Sequence, residues 1–413
     1  MNILFIHQNF PGQFVHLAAE LARNKAHKVA ALSIYNNAVP SGVTLRIYSM
    51  LRAAVPETHP LLKDLEAKVL RAEACAAAAM QLKRDGFVPD LIVAHPGWGE
   101  ALFMKDIFPQ AKLAIYCEFY YASAGRDVGF DPETPPLTLE QRYQLRLRNT
   151  TNLLSLEAAD IAYAPTQWQK STYPPWVQHK IQVIHDGIDL QRLAHRPGAV
   201  VRLAANTHHP ELSLAVGDEV LTYVARNLEP VRGFQVLMRA LPEVLRRRPN
   251  AHAIIVGGDD VSYGAQAPGG LSWKQHLLNE VGAGLDMSRV HFAGKVPDSI
   301  YLDLLSISKV HTYWTTPFVL SWSFLEAAAA GVPLIASATP PVLEFSSELG
   351  VKTLDFFDVD GFAAELAKNL GANRKNRILK SLTSLTLDHC IQAQMKMLGI
   401  RSGGRAAAAK HPA

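Results

Sequence analysis

Short apolar runs and helical stretches alternate from the first residues onward. Residues 3–6 form a continuous apolar run, the pattern of a strand buried on both faces. Phe14, Leu17, Ala18, Leu21 and Ala22 then recur at helical spacing, and residues 28–32 read as a second strand. Strand, helix and strand within about 30 residues predict a parallel crossover. The rhythm continues with an Ala-rich helix at 65–82 and strands at 90–94, 112–116, 161–164 and 181–184. Residues 126–136, rich in Asp, Gly and Pro, predict a loop.

Periodicity lapses over residues 189–217, and a second alternating series follows. Strands are expected at 220–225, 253–256, 290–292, 310–313 and 333–336. Phe234, Leu237, Met238, Leu241 and Leu245 mark a helix between the first two. The expected organisation is therefore α/β: two Rossmann-like, doubly wound domains facing across a cleft. Residues 1–190 are the first domain, 191–217 a linker region and 218–380 the second domain. Residues 381–400 form a C-terminal helix that packs back on the first domain, and the low-complexity tail 401–413 is expected to be disordered. Ligands of such sheets bind outside the carboxyl ends of the strands, so residues there matter most.

Composition narrows the class. Of 413 residues, 48% are hydrophobic and 19% charged, which excludes wholesale disorder. A formal charge of +4 is too weak to imply a nucleic-acid partner. Three cysteines, Cys75, Cys117 and Cys390, lie far apart and build neither a disulfide framework nor a zinc site. No apolar run reaches the roughly 18 residues of a spanning helix, and the start lacks the basic and apolar regions of a signal peptide. The expected location is the cytoplasm.

Several segments carry candidate chemistry. In 317–337 (PFVLSWSFLEAAAAGVPLIAS), Ser321 or Ser323 caps a helix that Gly331-Val332-Pro333 stops. Its N-terminus suits a phosphate, and Glu326 lies within reach of a sugar hydroxyl. In 223–233 (YVARNLEPVRG), Arg226 and Arg232 follow a strand, where two cations can neutralise a diphosphate. Gly294 and Val296 lie beyond another strand. Asp259 and Asp260, adjacent at a strand end, read as solvated loop residues. In the first domain, Gly12 lies in the loop after the first strand, and His95 and Glu118 end later strands. Asp127 and Asp131 lie in the following loop. Residues 141–148 (QRYQLRLR) read as a solvated basic helix face, or as a surface for an anionic membrane or lipid-linked acceptor. Each of these features also has a plain structural reading as a capped helix, a surface arginine or a satisfied histidine. No G-x-x-x-x-G-K-[ST], H-E-x-x-H, G-x-S-x-G or C-x-x-C occurs, and no G-x-G-x-x-G follows the first strand.

Taken together and in order, these segments resemble glycosyltransferase family 4, the group 1 nucleotide-sugar transferases of GT-B fold. Residues 317–337 resemble its signature Glu-Gly-Phe-Gly-Leu, three residues, Glu-Ala, then Gly-x-Pro. The resemblance implies that Glu326 holds the ribose of the donor nucleotide and that the amides of Ser321 and Trp322 meet its diphosphate. Arg226 and Arg232 stand where the family has the Arg and Lys that grip the phosphates. Gly294 and Val296 match the element that receives the base, Gly12 a turn near the donor phosphates, and His95 the strand-end histidine that faces the donor sugar. Residues 183–189 resemble the element that closes the first domain. Glu118 and Asp127 are assigned to the acceptor side. One departure stands out. Phe318 occupies the place of the first Glu of the paired-Glu motif, and Phe accepts no hydrogen bond.

The implied function is a retaining glycosyltransferase that takes a sugar from a UDP or GDP sugar to a glycan, lipid-linked or other hydroxyl acceptor. No metal or other cofactor is called for, and the setting is cytoplasmic with peripheral membrane contact. The Phe318 departure leaves open a non-catalytic nucleotide- or glycan-binding protein. A nucleotide-sugar epimerase of the same architecture is a third reading.

Overall fold

The computed structural model describes residues 1–372 and 380–400. The expected tail 401–413 lies outside the described residues. The chain divides into two units, Met1–Gly187 with Ser384–Ala413, and Ile188–Thr383.

The first unit is a seven-stranded parallel sheet. Its strands are β1 (Asn2–Ile6), β2 (Lys28–Ser33), β3 (Val43–Ile47), β4 (Leu91–Ala94), β5 (Lys112–Tyr116), β6 (Ile161–Ala164) and β7 (Ile181–Val183). Their order is β3-β2-β1-β4-β5-β6-β7. The chain winds outward from β1 through β2 to β3, then restarts on the other side at β4. The topological switch point is therefore between β1 and β4. Ile3, Phe5 and Val93 face a core that includes Phe10, Phe14 and Leu17, whereas Leu4, Ile6 and Ile92 face one that includes Cys75 and Leu82. The C-terminal helix Leu387–Met397, capped by Thr386, buries Ile391 and Met395 in the first of these cores. The edge strand β3 was not foreseen. Its sequence VTLRI is only half buried and lacks a continuous apolar run.

The second unit repeats the plan with β10 (Val220–Asn227), β11 (His252–Gly258), β12 (Val290–Gly294), β13 (Val310–Tyr313), β14 (Leu334–Ser337) and β15 (Lys352–Leu354). Their order is β12-β11-β10-β13-β14-β15, all parallel, so the switch point is between β10 and β13. The segment expected to be an interdomain connection differs from that expectation. It contains two short antiparallel strands, β8 (Val200–Leu203) and β9 (Leu212–Ala215), whose Val201 and Leu214 pack with Val220, Ile254 and Leu304 of the second unit.

Gly233 joins the β10 loop to the helix Phe234–Arg247. It sits at φ +67°, and a methyl group there would lie 2.3 Å from Cβ of the buried Trp314. Trp314 is fixed by close contact with the tilted ring of Phe362, with centroids 4.1 Å apart, and by donating to the Phe356 carbonyl. Gly233→Ala should therefore cost about 1 kcal/mol for the left-handed backbone and about 1–3 kcal/mol more for overlap. Gly217, at φ +110° with nothing within 4 Å of an added methyl, should pay the backbone cost alone. Urea unfolding of the two alanine variants checks this, and equal losses would refute the overlap.

Candidate functional site

Each unit carries polar chemistry at its switch point. In the first unit, His7 follows β1 and His95 follows β4, and both rings are buried. Each Nδ1 accepts a backbone N–H two residues on, from Asn9 at 2.9 Å and from Gly97 at 3.1 Å. A backbone amide can only donate, so in each neutral ring the proton sits on Nε2. His7 Nε2 then donates to Gln13 Oε1 at 2.8 Å, and Gln13 Nε2 donates to Glu118 Oε1 at 2.6 Å. His95 Nε2 donates to Glu118 Oε2 at 3.2 Å. Trp98 stacks on His95 with centroids 4.3 Å apart and meets His7 edge-on.

The result is a directional network converging on one half-buried carboxylate. Burial works to raise the Glu118 pKa, but the bonds from His95 and Gln13 and the nearby rings prevail and hold it below the usual carboxylate range. Burial, aided by His95, pushes His7 down to about 3, so it stays neutral. Gly12 serves this network at close quarters. It sits at φ +45°, and a methyl group there would come within 2.5 Å of the His7 ring.

Sequence reasoning found His95, Glu118 and Gly12 but missed His7, Gln13 and Trp98. His7 carries the same signal as His95, a histidine one residue beyond an apolar strand. Asp127 is not part of the network. It lies in the loop after β5, where burial raises its carboxyl to about 6 and leaves Oδ1 without a hydrogen-bond partner. Asp131 is buried in the same loop.

In the second unit, Arg226 is exposed at the end of β10, where the pairing with β11 is irregular between Val224 and Asn227. Arg232 is buried in the turn that follows. Its Nη1 donates to Tyr313 Oη (3.2 Å), Thr315 Oγ1 (3.0 Å) and the Val319 carbonyl (2.9 Å). Its guanidinium lies 5.6 Å from the Phe318 ring centroid and 5.5 Å from that of Tyr263. No carboxylate pairs with it among the described residues, and its Nε and Nη2 protons have no partner there.

Phe318 is thus a buried wall against a cation. Glu229, also missed by sequence reasoning, supports the other wall. Its buried carboxylate accepts from the amides of Ser262, Tyr263 and Gly264, at 2.9 Å for the last, and so pins the loop that carries Tyr263.

Ser321, not Ser323, caps the helix Trp322–Ala329. Its own N–H donates to Tyr313 Oη at 2.8 Å. A diphosphate meeting the Ser321 amide would exchange for that bond. Glu326 is also engaged. Oε1 accepts from Arg192 Nη1 at 2.8 Å and Oε2 from Tyr301 Oη at 2.9 Å. Gly294 ends β12 at φ +63°, and Val296, partly buried, packs on the nearby apolar cluster. Asp259 and Asp260 each face a lysine, Lys274 and Lys295. Among the described residues no cluster of His, Cys, Asp and Glu is arranged to hold a metal ion, and no helix is long and apolar enough to cross a membrane.

Comparison with known proteins adds a family. Residues 25–193 match the glycosyl transferase family 4 group, and residues 218–370 match glycosyl transferases group 1. No curated protein matches the chain in sequence. Among solved structures, a sucrose-phosphate synthase from Thermosynechococcus elongatus is similar with a TM-score of 0.66 at 17% identity, covering 97% of this chain and 98% of that one. An α,α-trehalose-phosphate synthase (UDP-forming) from Burkholderia vietnamiensis gives 0.63 at 12% identity, covering 96% and 99%. An E. coli trehalose-6-phosphate protein bound with UDP-2-fluoro glucose gives 0.62 at 12% identity, covering 97% and 100%. At these identities the likeness is one of fold, the GT-B class with two parallel α/β sheets.

Proposed function

The chain belongs to the group 1 glycosyltransferases of family 4, and from that premise we propose a retaining hexosyltransferase. It moves a sugar from a nucleoside-diphosphate sugar, with uracil or guanine as base, to a hydroxyl of a glycan or lipid-linked acceptor. The donor nucleotide is held by the second unit and the acceptor by the first. Arg232 carries this reading. A buried guanidinium at a switch point, flanked by aromatic faces and with Nε and Nη2 unspent, is suited to an anion. Arg232 and the exposed Arg226 neutralise the leaving diphosphate as its charge develops, and no metal is required for that step. Glu326 holds the ribose, and Gly294 and Val296 flank the base. The leaving diphosphate takes the acceptor proton on the face it departs from, which retains configuration. In the first unit, His95 positions the sugar, and Glu118 and Asp127 meet acceptor hydroxyls. The helix Leu139–Arg148, with Leu139 and Tyr143 exposed among its arginines, supports peripheral contact with a membrane that carries the acceptor.

A second reading, nucleotide binding without transfer, is favoured by Phe318, which offers the donor sugar no acceptor and is buried against Arg232.

Thermal denaturation with UDP, GDP, ADP and NAD tests the proposal first. One nucleoside diphosphate at about 100 times its Kd should add roughly 2.7 kcal/mol of stability. The matching sugar donors should then be consumed, with the product's anomeric configuration equal to the donor's. Binding without consumption of any donor selects the second reading. No binding of any nucleotide defeats both.

A further inference from the structure

Glu326 is held by two chain segments besides its own. Arg192 lies just beyond the start of the second unit, Tyr301 on the helix Asp298–Ile307, and Glu326 on the helix Trp322–Ala329. The bonding is divided in a particular way. Arg192 gives its Nε and Nη2 to the carboxylate of Asp298, leaving Nη1 alone for Glu326 Oε1. Tyr301, whose ring is buried, gives its single proton to Oε2. An ionised carboxylate offers about four lone-pair positions. Each Glu326 oxygen therefore accepts one bond and keeps one position in hand. Had Glu326 been only an ion-pair partner, the two-pronged face of the guanidinium would be the stronger match for it. That face goes to Asp298, whose side chain is 60% exposed, while the Glu326 side chain is 15% exposed and fixed in direction. Two remaining acceptor positions on one oriented carboxylate match a vicinal diol, one hydroxyl to each oxygen.

We propose that Arg192 and Tyr301 are positioning residues that preset Glu326 to accept both ribose hydroxyls of the donor nucleotide, and that they thereby set the preference for ribonucleotides over 2′-deoxyribonucleotides. The proposal rests on the reading of Glu326 as the ribose ligand. Neither residue touches the nucleotide. Each acts by fixing one carboxylate oxygen, so losing either lets the carboxylate rotate and spend its acceptors on water.

The test is calorimetric titration of the full chain with UDP, GDP and ADP and with their 2′-deoxy counterparts. A hydroxyl bonded to a carboxylate supports a preference of about tenfold or more for the ribonucleotide in the unaltered protein. Tyr301→Phe and Arg192→Ala should each reduce that preference to below about threefold while keeping measurable binding through the phosphates. Arg192→Lys, which keeps a cation beside Asp298 and Glu326, should recover part of it. Thermal melting of Tyr301→Phe, which removes one oxygen, reports whether the fold is kept. A general loss of structure would weaken both nucleotides alike and leave their ratio unchanged, so the ratio separates positioning from folding. If the unaltered protein discriminates and both variants discriminate equally well, the clamp is wrong and the donor reading stands. If the unaltered protein binds ribo- and deoxyribonucleotides equally, or binds none, the reading of Glu326 itself fails and the clamp falls with it.

Discussion

Arg232→Ala should lower kcat by about 10²–10³-fold, the range for removing a preorganised donor from a site of developing charge. The expectation follows from how the side chain is held. Nη1 is tied to Tyr313, Thr315 and Val319, and the rings of Phe318 and Tyr263 flank the group, so little reorganisation remains when charge arrives. A cation fixed in advance and partly dry acts more strongly on the transition state than a solvated one. The effect should fall on kcat more than on the donor KM, because the diphosphate gains charge as the glycosidic bond breaks. Arg232→Lys keeps the charge but cannot reproduce the planar set of donors, so it should recover only part of the rate. Arg232→Ala also empties a buried position, and thermal melting must accompany the kinetics. The informative result is a kcat loss in the Lys variant with its melting point retained. Unchanged turnover in the Ala variant would remove Arg232, and the donor reading it carries, from consideration.

How far the site could be read in advance depended on the range of the contacts. The parallel strands buried in the middle of each sheet were legible because their continuous apolar runs have few other uses. Strands β3, β8, β9 and β15 were not, because half-exposed three- to five-residue segments such as VTLRI carry no such run. The places of polar residues at strand ends were legible one residue at a time, as for His95, Glu118 and Arg226. What joins those residues was not. Gln13 and Glu118 are 105 positions apart, and Arg192 and Glu326 are 134 apart. Only the order of the strands brings such pairs together. The Phe318 departure shows the same limit. From sequence it is the loss of an acceptor, whereas in the fold it is a gained aromatic face for Arg232, which has no carboxylate partner among the described residues.

Both units should lose stability steeply as pH falls below 6.5, because each buries neutral histidines whose hydrogen bonds fix the proton count. Burial lowers His7 to about 3 and His185 to about 4 in the first unit. It likewise lowers His291 and His311 to about 4 in the second, with His252 and His209 adding to the shift at His291. The bonding gives the reason for each. Nδ1 of His185 accepts the Gly187 N–H at 3.0 Å, as His7 does from Asn9, so a second ring proton would meet a donor. His209 must donate through Nδ1 to the Pro210 carbonyl, so its Nε2 accepts from His291 Nδ1, and His291 Nε2 in turn accepts from His252 Nδ1. A further proton on His291 would therefore point at another N–H. Ser308 donates to the Leu304 carbonyl and Thr222 to Ser308, so His311 Nδ1 donates to Thr222, and its Nε2 is buried without a partner. Above pH 6.5 these rings are neutral in both folded and unfolded chains, and the stability is fully present. As pH falls below 6.5 the unfolded chain takes up protons first, and each histidine costs about 1.4 kcal/mol per pH unit until its folded pKa is reached. Two such histidines per unit amount to roughly 5 kcal/mol by pH 4.5, a large part of an ordinary domain's stability. Urea unfolding followed by near-ultraviolet dichroism from pH 7.5 to 4.5 measures the slope, and proton NMR of the imidazole rings identifies which histidines stay neutral. A flat stability between pH 6.5 and 5, or ring signals of these four that titrate near 6.5 in the folded chain, would show that the buried bonds do not hold the rings neutral.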